Sequence, residues 1–504
     1  MFKVMQRYTL FQKIIFFLGS ILSIFIFLFC DLSPGHPLVT RMASVAVLMA
    51  MWWIAEAVPL AVTALLPVVL FPLMGIMESK VVCSYYFNDI IFLFIGGFIL
   101  ALAMQRWGLH KRIGLAIILL IGVSPRRIIL GFMGATAFLS MWISNTATTM
   151  IMVPIAIALI LEMEERFGTE SVRQFPIGLL LGIAYAASIG GMATLVGTPP
   201  NLVLAKMFSI SFPNGPEISF AKWLIFALPV SFIFLIFAWL ILIILFSQKK
   251  FQFQSDVAVF KKEYKKLGKM SFEEWVVLMV FFLTAMLWLF RKDINIGHFR
   301  ILGWSSFFPV PNYIRDGTVA MMTTIPLFFI PAREKTFIMD WDTASRLPWG
   351  IVLLFGGGFA LAAGFKTSGL SSWMGERLTN LAHYHPVLIV IIVCLLISIL
   401  TELTSNTATA QMALPILASL SVAIKINPLL LMIPATMSAS CAFMLPVATP
   451  PNAIIFGTQR LRVYDMAKAG IILNIFKILL FIIATFLWSK ISFGNLILFP
   501  SWAK

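Results

Sequence analysis

The run Ser144-Asn145-Thr146-Ala147-Thr148 recurs letter for letter as Ser405-Asn406-Thr407-Ala408-Thr409, and each copy interrupts a long apolar stretch. Hydroxyl and amide groups in apolar surroundings are costly unless something uses them. A single such run is explained by side chains bonding back to the helix backbone or joining neighbouring helices. Two identical runs need a reason that applies twice.

A second pair of matches has the same spacing. Phe92–Gly97 with Phe98-Ile99-Leu100 resembles Leu353–Gly358 with Phe359-Ala360-Leu361, and positions 96 and 357 are as far apart as 144 and 405. A shared offset of this kind indicates an internal duplication. Each copy of Ser-Asn-Thr is followed by a further break: Gly190–Asn201, ending in Thr198-Pro199-Pro200-Asn201, and Val447–Asn452, ending in Thr449-Pro450-Pro451-Asn452. Proline removes backbone donors and glycine loosens the chain, so a helix is expected to unwind at each.

Composition decides where these halves sit. The chain is 60% hydrophobic and only 12% charged, with a mean hydropathy of +0.98. Soluble domains are nearer about half apolar and a quarter charged. Many runs reach the roughly 20 residues that span a bilayer. The expected fold is therefore an all-α polytopic membrane protein with about 11 transmembrane helices, counted at 20 residues each, plus two re-entrant hairpins. The net charge of +16 does not imply nucleic acid. The basic residues fall between spans, where they set topology and meet anionic lipid head groups.

The chain divides as follows. Residues 1–87 are N-terminal scaffold helices, beginning with Lys3, Arg7 and Lys13 before the apolar run Ile14–Cys30. This reads as a first span with its basic end in the cytoplasm. Residues 88–247 are a first repeat, with a cytoplasm-facing hairpin at 126–161 and a broken helix at 174–208. Its first span ends in the basic cluster Arg106, Lys111, Arg112, Arg126 and Arg127. Residues 248–270 are a basic linker with seven lysines between 249 and 269, interleaved with Phe251, Phe253, Phe260 and Tyr264. It reads as an amphipathic surface helix, with a solvated linker as the alternative. Residues 271–347 are scaffold helices; the loop residues Arg291, Lys292, Arg300 and Arg315 fall on the expected outer side, against the positive-inside trend. Residues 348–504 are the second repeat, with an outward-facing hairpin at 386–424, a broken helix at 428–457 and a last span. Counting crossings puts the N-terminus inside, the C-terminus outside and an odd number of crossings between the hairpins. The repeats are then inverted, and the hairpin tips approach from opposite faces.

A site built of Ser, Asn, Thr, unwound backbone and half-helix ends suits small anions and hard cations. Hydroxyls, amides and helix N-termini donate to carboxylate or sulfate oxygens. The oxygens of the same groups suit Na⁺. None of the four motifs contains Lys or Arg, so a bound dianion needs helix dipoles and co-bound cations. Glu56 and Glu402, acidic in apolar context, are candidates for relaying protons or holding cations, or for bonding helix ends. The four cysteines show no metal spacing. The chain contains no HExxH, CxxC, P-loop or GxSxG pattern, which argues against an enzyme.

At these motifs the chain resembles the divalent-anion/sodium symporter family, which includes sodium-dicarboxylate and citrate transporters and some sulfate carriers. The resemblance covers nearly the whole chain. It implies a homodimer in the membrane, a fixed scaffold with a mobile transport domain, and an elevator mechanism. It implies a first Na⁺ site at Ser140, Ser144, Asn145 and Gly197, and a second at Thr401, Ser405, Asn406 and Ala448. Substrate is expected to face Ser144, Asn145, Thr146, Thr198, Ser405, Asn406, Thr407 and Thr449. The expected activity is Na⁺-coupled symport of a C4-dicarboxylate (succinate, malate or fumarate) in a bacterial inner membrane. A Na⁺-independent dicarboxylate antiporter, a citrate or sulfate carrier, a channel and a membrane-embedded enzyme are the alternatives.

Overall fold

Apolar runs punctuated by capping residues and prolines become helices. Leu10–Phe29 is capped by Thr9, whose hydroxyl and backbone N–H pair reciprocally with Gln12, a device that satisfies donors orphaned at a helix start. The computed structural model describes residues 9–122, 124–246, 258–296, 299–333 and 336–503. Lys3, Arg7, Lys249, Lys250, Phe251 and Phe253 lie outside the described residues.

Ten helices among the described residues are long and apolar enough to cross a membrane. The chain is an integral membrane protein. Two of the ten, Asn145–Phe167 and Pro386–Leu403, are hairpin arms. Three of the expected crossings are instead built from shorter pieces: Leu60–Leu73, Asp316–Thr324 with the 3₁₀ turn Ile325–Phe328, and Pro428–Ala439 with Pro450–Phe456. Among the described residues the fold is helical apart from one small antiparallel ladder, Ile294–Ile296 with Phe299–Ile301, and an isolated bridge between Pro331 and Phe337.

The two hairpins are Pro125–Ser140 with Asn145–Phe167, and Pro386–Leu403 with Asn406–Ala423. The broken helices are Gln174–Gly191 with Pro199–Ser211, and Pro428–Ala439 with Pro450–Phe456. One expectation needs correcting. The unwound stretches, 192–198 and 440–449, end at the prolines. Pro199-Pro200 and Pro450-Pro451 occupy the first positions of the following helices, where a missing N–H costs nothing and φ is already helical. The prolines start the second halves; they do not break the first.

The basic cluster after the first repeat's opening span is also not a plain loop. Gly108 turns the chain at φ +74° and a helix, Leu109–Ile121, follows. Gly369 does the same at φ +79° before Leu370–Leu378, a further duplicated feature. Arg112, in the first of these helices, is buried. It grips Glu274 through Nε at 2.8 Å and Nη2 at 3.0 Å, and donates to the carbonyls of Leu267 and Gly268. It therefore fastens the end of the linker helix Ala258–Lys266. Phe260 of that helix is buried, with its ring 6.0 Å from Phe132 of the first hairpin. Lys261, Lys262, Lys265 and Lys266 stay exposed. Within the linker, Ala258–Lys266 is a helix, and its Phe260 docks on protein.

Small residues let the spans approach closely, as membrane packing requires. A methyl on Gly96 would meet Ala320 at 2.5 Å, and one on Gly357 would meet the Ala64 carbonyl at 2.3 Å. The second glycine of each set faces the other way: Gly97 lies against Val196 of the first break, and Gly358 against Gln411 of the second hairpin. One apolar core runs through both repeats. A smaller one joins Val39, Met49, Trp53 and Phe71 to Leu354, Leu361 and Phe365.

The basic loop residues on the expected outer side are largely neutralised. Arg291 pairs with Asp316 at 2.6 Å and Glu217 at 2.7 Å, and Lys292 and Arg315 also pair with Glu217. Burial alone would raise the Glu217 carboxyl, but these three cations hold it below the usual carboxylate value.

Candidate functional site

Ser144 caps Asn145–Phe167, with its Oγ accepting from the Ala147 N–H at 3.3 Å. This places Asn145 in the first turn. Five residues earlier, Ser140 ends the first arm with its hydroxyl fully buried. The Ser140 Oγ lies 2.7 Å from Asn145 Oδ1 and 2.8 Å from the Ala187 carbonyl of the first broken helix. Three oxygens thus converge with one hydroxyl proton among them, since a hydroxyl has a single hydrogen and amide oxygens have none. Such a cluster is short of protons and suited to a cation that prefers oxygen.

The second half repeats the arrangement. Thr401 Oγ1 lies 2.6 Å from Asn406 Oδ1 and 2.7 Å from the Ala439 carbonyl. Ser140 with Asn145 and Thr401 with Asn406 are among the residues the resemblance implied, and the structure brings each pair together. Their third oxygens, from Ala187 and Ala439, were not legible, because backbone carbonyls carry no sequence signature.

Gly197 joins the first cradle by close approach. A methyl there would lie 2.4 Å from the Gly191 carbonyl and 2.9 Å from that of Ser140. A methyl on Gly191 would lie 2.3 Å from Asn145 Oδ1. Both glycines are therefore required by the packing at this point. Ala448 is buried and its N–H bonds the Leu445 carbonyl within its own loop.

Each broken-helix loop is tied by its own asparagine. Asn201 Nδ2 donates to the carbonyls of Met192 at 3.2 Å and Thr194 at 2.6 Å. Asn452 Nδ2 donates to those of Ala442 at 3.2 Å and Leu445 at 3.0 Å. Thr449 Oγ1 caps its helix by accepting from Asn452 N. Thr198 caps the corresponding helix through its backbone carbonyl, which accepts from Asn201 N. Both threonines are buried, Ser144, Asn145, Thr146, Ser405 and Asn406 are half-buried, and Thr407 is buried.

The halves interleave. The second arm of each hairpin packs against the second piece of the other half's broken helix: Asn145–Phe167 on Pro450–Phe456, and Asn406–Ala423 on Pro199–Ser211. Tyr185 of the first broken helix donates its hydroxyl to the Phe443 carbonyl of the second at 2.9 Å. Both cradles belong to one packed body. Among the described residues, no hydrogen bond joins the 144–146 run directly to the 405–407 run.

Glu56 is exposed at a helix end, with a left-handed backbone and its carbonyl accepting from Gln12. Glu402 is buried and bonds backbone amides. Lys477, in the last span, is fully buried and escaped sequence reading. The available signal was a lone cation inside an apolar span.

The profile of the sodium:sulfate symporter transmembrane region matches residues 12–494. A sodium-dependent dicarboxylate transporter SdcS of Staphylococcus saprophyticus subsp. saprophyticus is 46% identical over 87% of this chain and 83% of its own length. The Staphylococcus aureus protein of the same name is 47% identical over 88% and 85%. Among solved structures, Neisseria gonorrhoeae MtrF superposes with a TM-score of 0.52 at 14% identity, covering 81% of this chain and 82% of that one. At that identity the likeness is one of fold alone.

Proposed function

The chain belongs to the sodium:sulfate symporter family, a family of transporters and not of enzymes, and we propose that it carries a C4-dicarboxylate together with Na⁺ across a bacterial plasma membrane. The observation that carries this reading is the duplicated three-oxygen cradle at Ser140/Asn145/Ala187 and Thr401/Asn406/Ala439. One Na⁺ enters each cradle, completed by Ser144 and Gly197 in the first and by Ser405 and Ala448 in the second. The dicarboxylate lies between them, against Ser144, Asn145, Thr146, Thr198, Ser405, Asn406, Thr407 and Thr449. The hairpins' second arms begin at these residues, so their free N–H groups and positive helix ends point at the anion. Two cations offset a dianion in a place where an uncompensated charge is costly. The order of binding follows: Na⁺ first lowers the electrostatic cost of substrate entry. The names of the staphylococcal relatives support both the ion and the substrate class.

In this reading the repeats are inverted, the N-terminus is cytoplasmic and the C-terminus outside. The protein works as a homodimer whose cradle-bearing body rides past a scaffold by an elevator motion. With the spans Asp89–Arg106 and Trp349–Thr367 staying on the scaffold side, such a motion parts two contacts they make with the first broken helix: Lys206 with Asp89 at 2.9 Å, and Lys366 with the carbonyls of Ile210 and Ser211 at 3.1 Å. The test is uptake of labelled succinate into proteoliposomes. An inward Na⁺ gradient drives uptake above the level seen with choline; equal uptake in the two overturns the coupling. Competition by unlabelled malate, fumarate, citrate and sulfate ranks the anions.

A further inference from the structure

The two cradles are alike, but the loops behind them are held by different chemistry. In the second half Glu402 follows Thr401 directly in sequence and is only 5% exposed. Its Oε1 accepts from the N–H groups of Phe443 at 2.8 Å and Met444 at 3.1 Å. Its Oε2 accepts from those of Met444 at 3.0 Å and Leu445 at 3.2 Å. Asn474 of the last span donates to the same carboxylate at 3.0 Å. Three residues further along that span, Lys477 donates to the Cys441 carbonyl, and its ammonium lies 5.7 Å from the Phe443 ring centre.

In the first half, Met141 stands in the place of Glu402, one residue after Ser140. The first loop and the helix end leading into it are held by neutral groups: Thr194 Oγ1 donates to the Met141 carbonyl, Trp223 Nε1 to that of Met192 at 3.1 Å, and Ser231 Oγ to that of Ile189, in the helix's last turn, at 2.6 Å.

We infer that Glu402 is a positioning residue for the second cation cradle, with Asn474 and Lys477 as its supports, and that the first cradle has no such device. The inference rests on the reading of Thr401, Ser405, Asn406 and Ala448 as a Na⁺ site. The physical reason lies in the backbone. Three consecutive buried N–H groups must find acceptors, and a carboxylate is the side chain with enough lone pairs to serve them all at one point. In a trans peptide the carbonyl points opposite to the N–H. Turning the amides of 443–445 toward Glu402 therefore turns the preceding carbonyls away from it, where Asn452 and Tyr185 hold two of them, Ala442 and Phe443. The loop so fixed runs directly into Ala448. Glu402 thus ties the hairpin arm that carries Thr401 to the loop that carries Ala448, and sets the width of the cradle between them. A lone carboxylate at this depth would be costly. Lys477, gripping the same five-residue stretch, supplies the opposite charge.

Succinate uptake in proteoliposomes, measured against Na⁺ concentration, tests this with the full-length protein carrying Glu402→Gln, Glu402→Asp, the pair Glu402→Gln/Lys477→Met, or Ser231→Ala. Glu402→Gln presents an amide where an acceptor is needed. It raises the half-saturating Na⁺ concentration about tenfold or more, the loss expected for a buried donor run left unpaired, while succinate half-saturation at saturating Na⁺ stays within about twofold. Glu402→Asp recovers part of the Na⁺ affinity. The double variant removes the unbalanced charge, so it regains thermal stability, yet it keeps the Na⁺ defect. Ser231→Ala, on the neutral side, leaves Na⁺ affinity within about twofold. Unchanged Na⁺ half-saturation in Glu402→Gln, or a double variant that regains wild-type Na⁺ affinity along with stability, overturns the positioning role. Wild-type uptake indifferent to Na⁺ removes the cradle reading itself and this inference with it.

Discussion

In the first half a serine, and in the second a threonine, shares one proton with an asparagine oxygen and a helix carbonyl. Behind that common arrangement the halves differ. The first loop and the helix end leading into it are held by hydroxyls and an indole and crowded by Gly191 and Gly197; the second is held by a buried carboxylate and a buried ammonium. The difference separates what a cation demands from what merely supports it. Oxygens at fixed spacing are needed twice, and duplication kept them. The groups that brace each loop answer to its own backbone: the second aims three consecutive N–H groups at one point and takes a carboxylate, while the first is met by neutral side chains.

The largest expected effect breaks the comparison on its crowded side. Gly191→Ala puts a methyl 2.3 Å from Asn145 Oδ1, so the cradle must open. Na⁺-driven uptake falls by about 100-fold, in line with overpacking and a lost buried acceptor acting together. Counting back from Thr-Pro-Pro-Asn, the second half has Ala442 at this place, and Ala442→Gly leaves uptake within about threefold, the cost of added backbone freedom. Wild-type uptake by Gly191→Ala would mean the first cradle is not where Na⁺ binds.

Removing the shared hydroxyl comes next. Ser140→Ala and Thr401→Ala each weaken Na⁺ dependence about tenfold, the usual cost of a buried hydrogen-bonding group. Thr401→Ser, which keeps the oxygen, stays near wild type. Unequal losses in the two alanine variants would rank the cradles. Tyr185→Phe is milder. It deletes the hydroxyl that bridges the halves at Phe443 and lowers stability by about 1 kcal/mol, read as a drop in thermal midpoint in detergent. The smallest effect concerns the loop cluster at the first half's end. Because Glu217 is held below its ordinary carboxylate value of 4.5, the unfolded chain takes up its proton first as pH falls. The stability it contributes is complete above the ordinary range and is lost as acid protonates the folded form. The thermal midpoint of the wild type therefore falls more steeply at acid pH than that of Glu217→Gln.

Much of this architecture was legible because duplication and hydropathy are written locally. The spans, both hairpins and both breaks follow from apolar runs and the repeated motifs. The helix Leu109–Ile121 was not read. Its basic residues Lys111 and Arg112 resemble a loop cluster, and only the pairing of Arg112 with Glu274, far along the chain, makes that charge part of the interior. The pairing of Lys292 and Arg315 was not read either: Glu217, which meets both, is remote in sequence. At the site, Asn145 and Asn406 stood out in the repeated runs, and Ser140 and Thr401 came only through the family resemblance. Ala187, Ala439 and Lys477 were not legible, since a carbonyl has no letter and a single lysine in a span does not say what it faces.

By itself, then, the chain determined that there are two matching halves, that polar oxygens recur at membrane depth, and that no fixed cation lies within the motifs. Those are properties of residue type and spacing, and local chemistry suffices for them. Tertiary structure decided which oxygens share a proton, that the prolines begin helices, and that Glu402 faces the amides of Phe443–Leu445. The carbonyls of Ala187 and Ala439 and the amides of Phe443–Leu445 lie tens of residues from the side chains they meet, and come to them only when the helices pack.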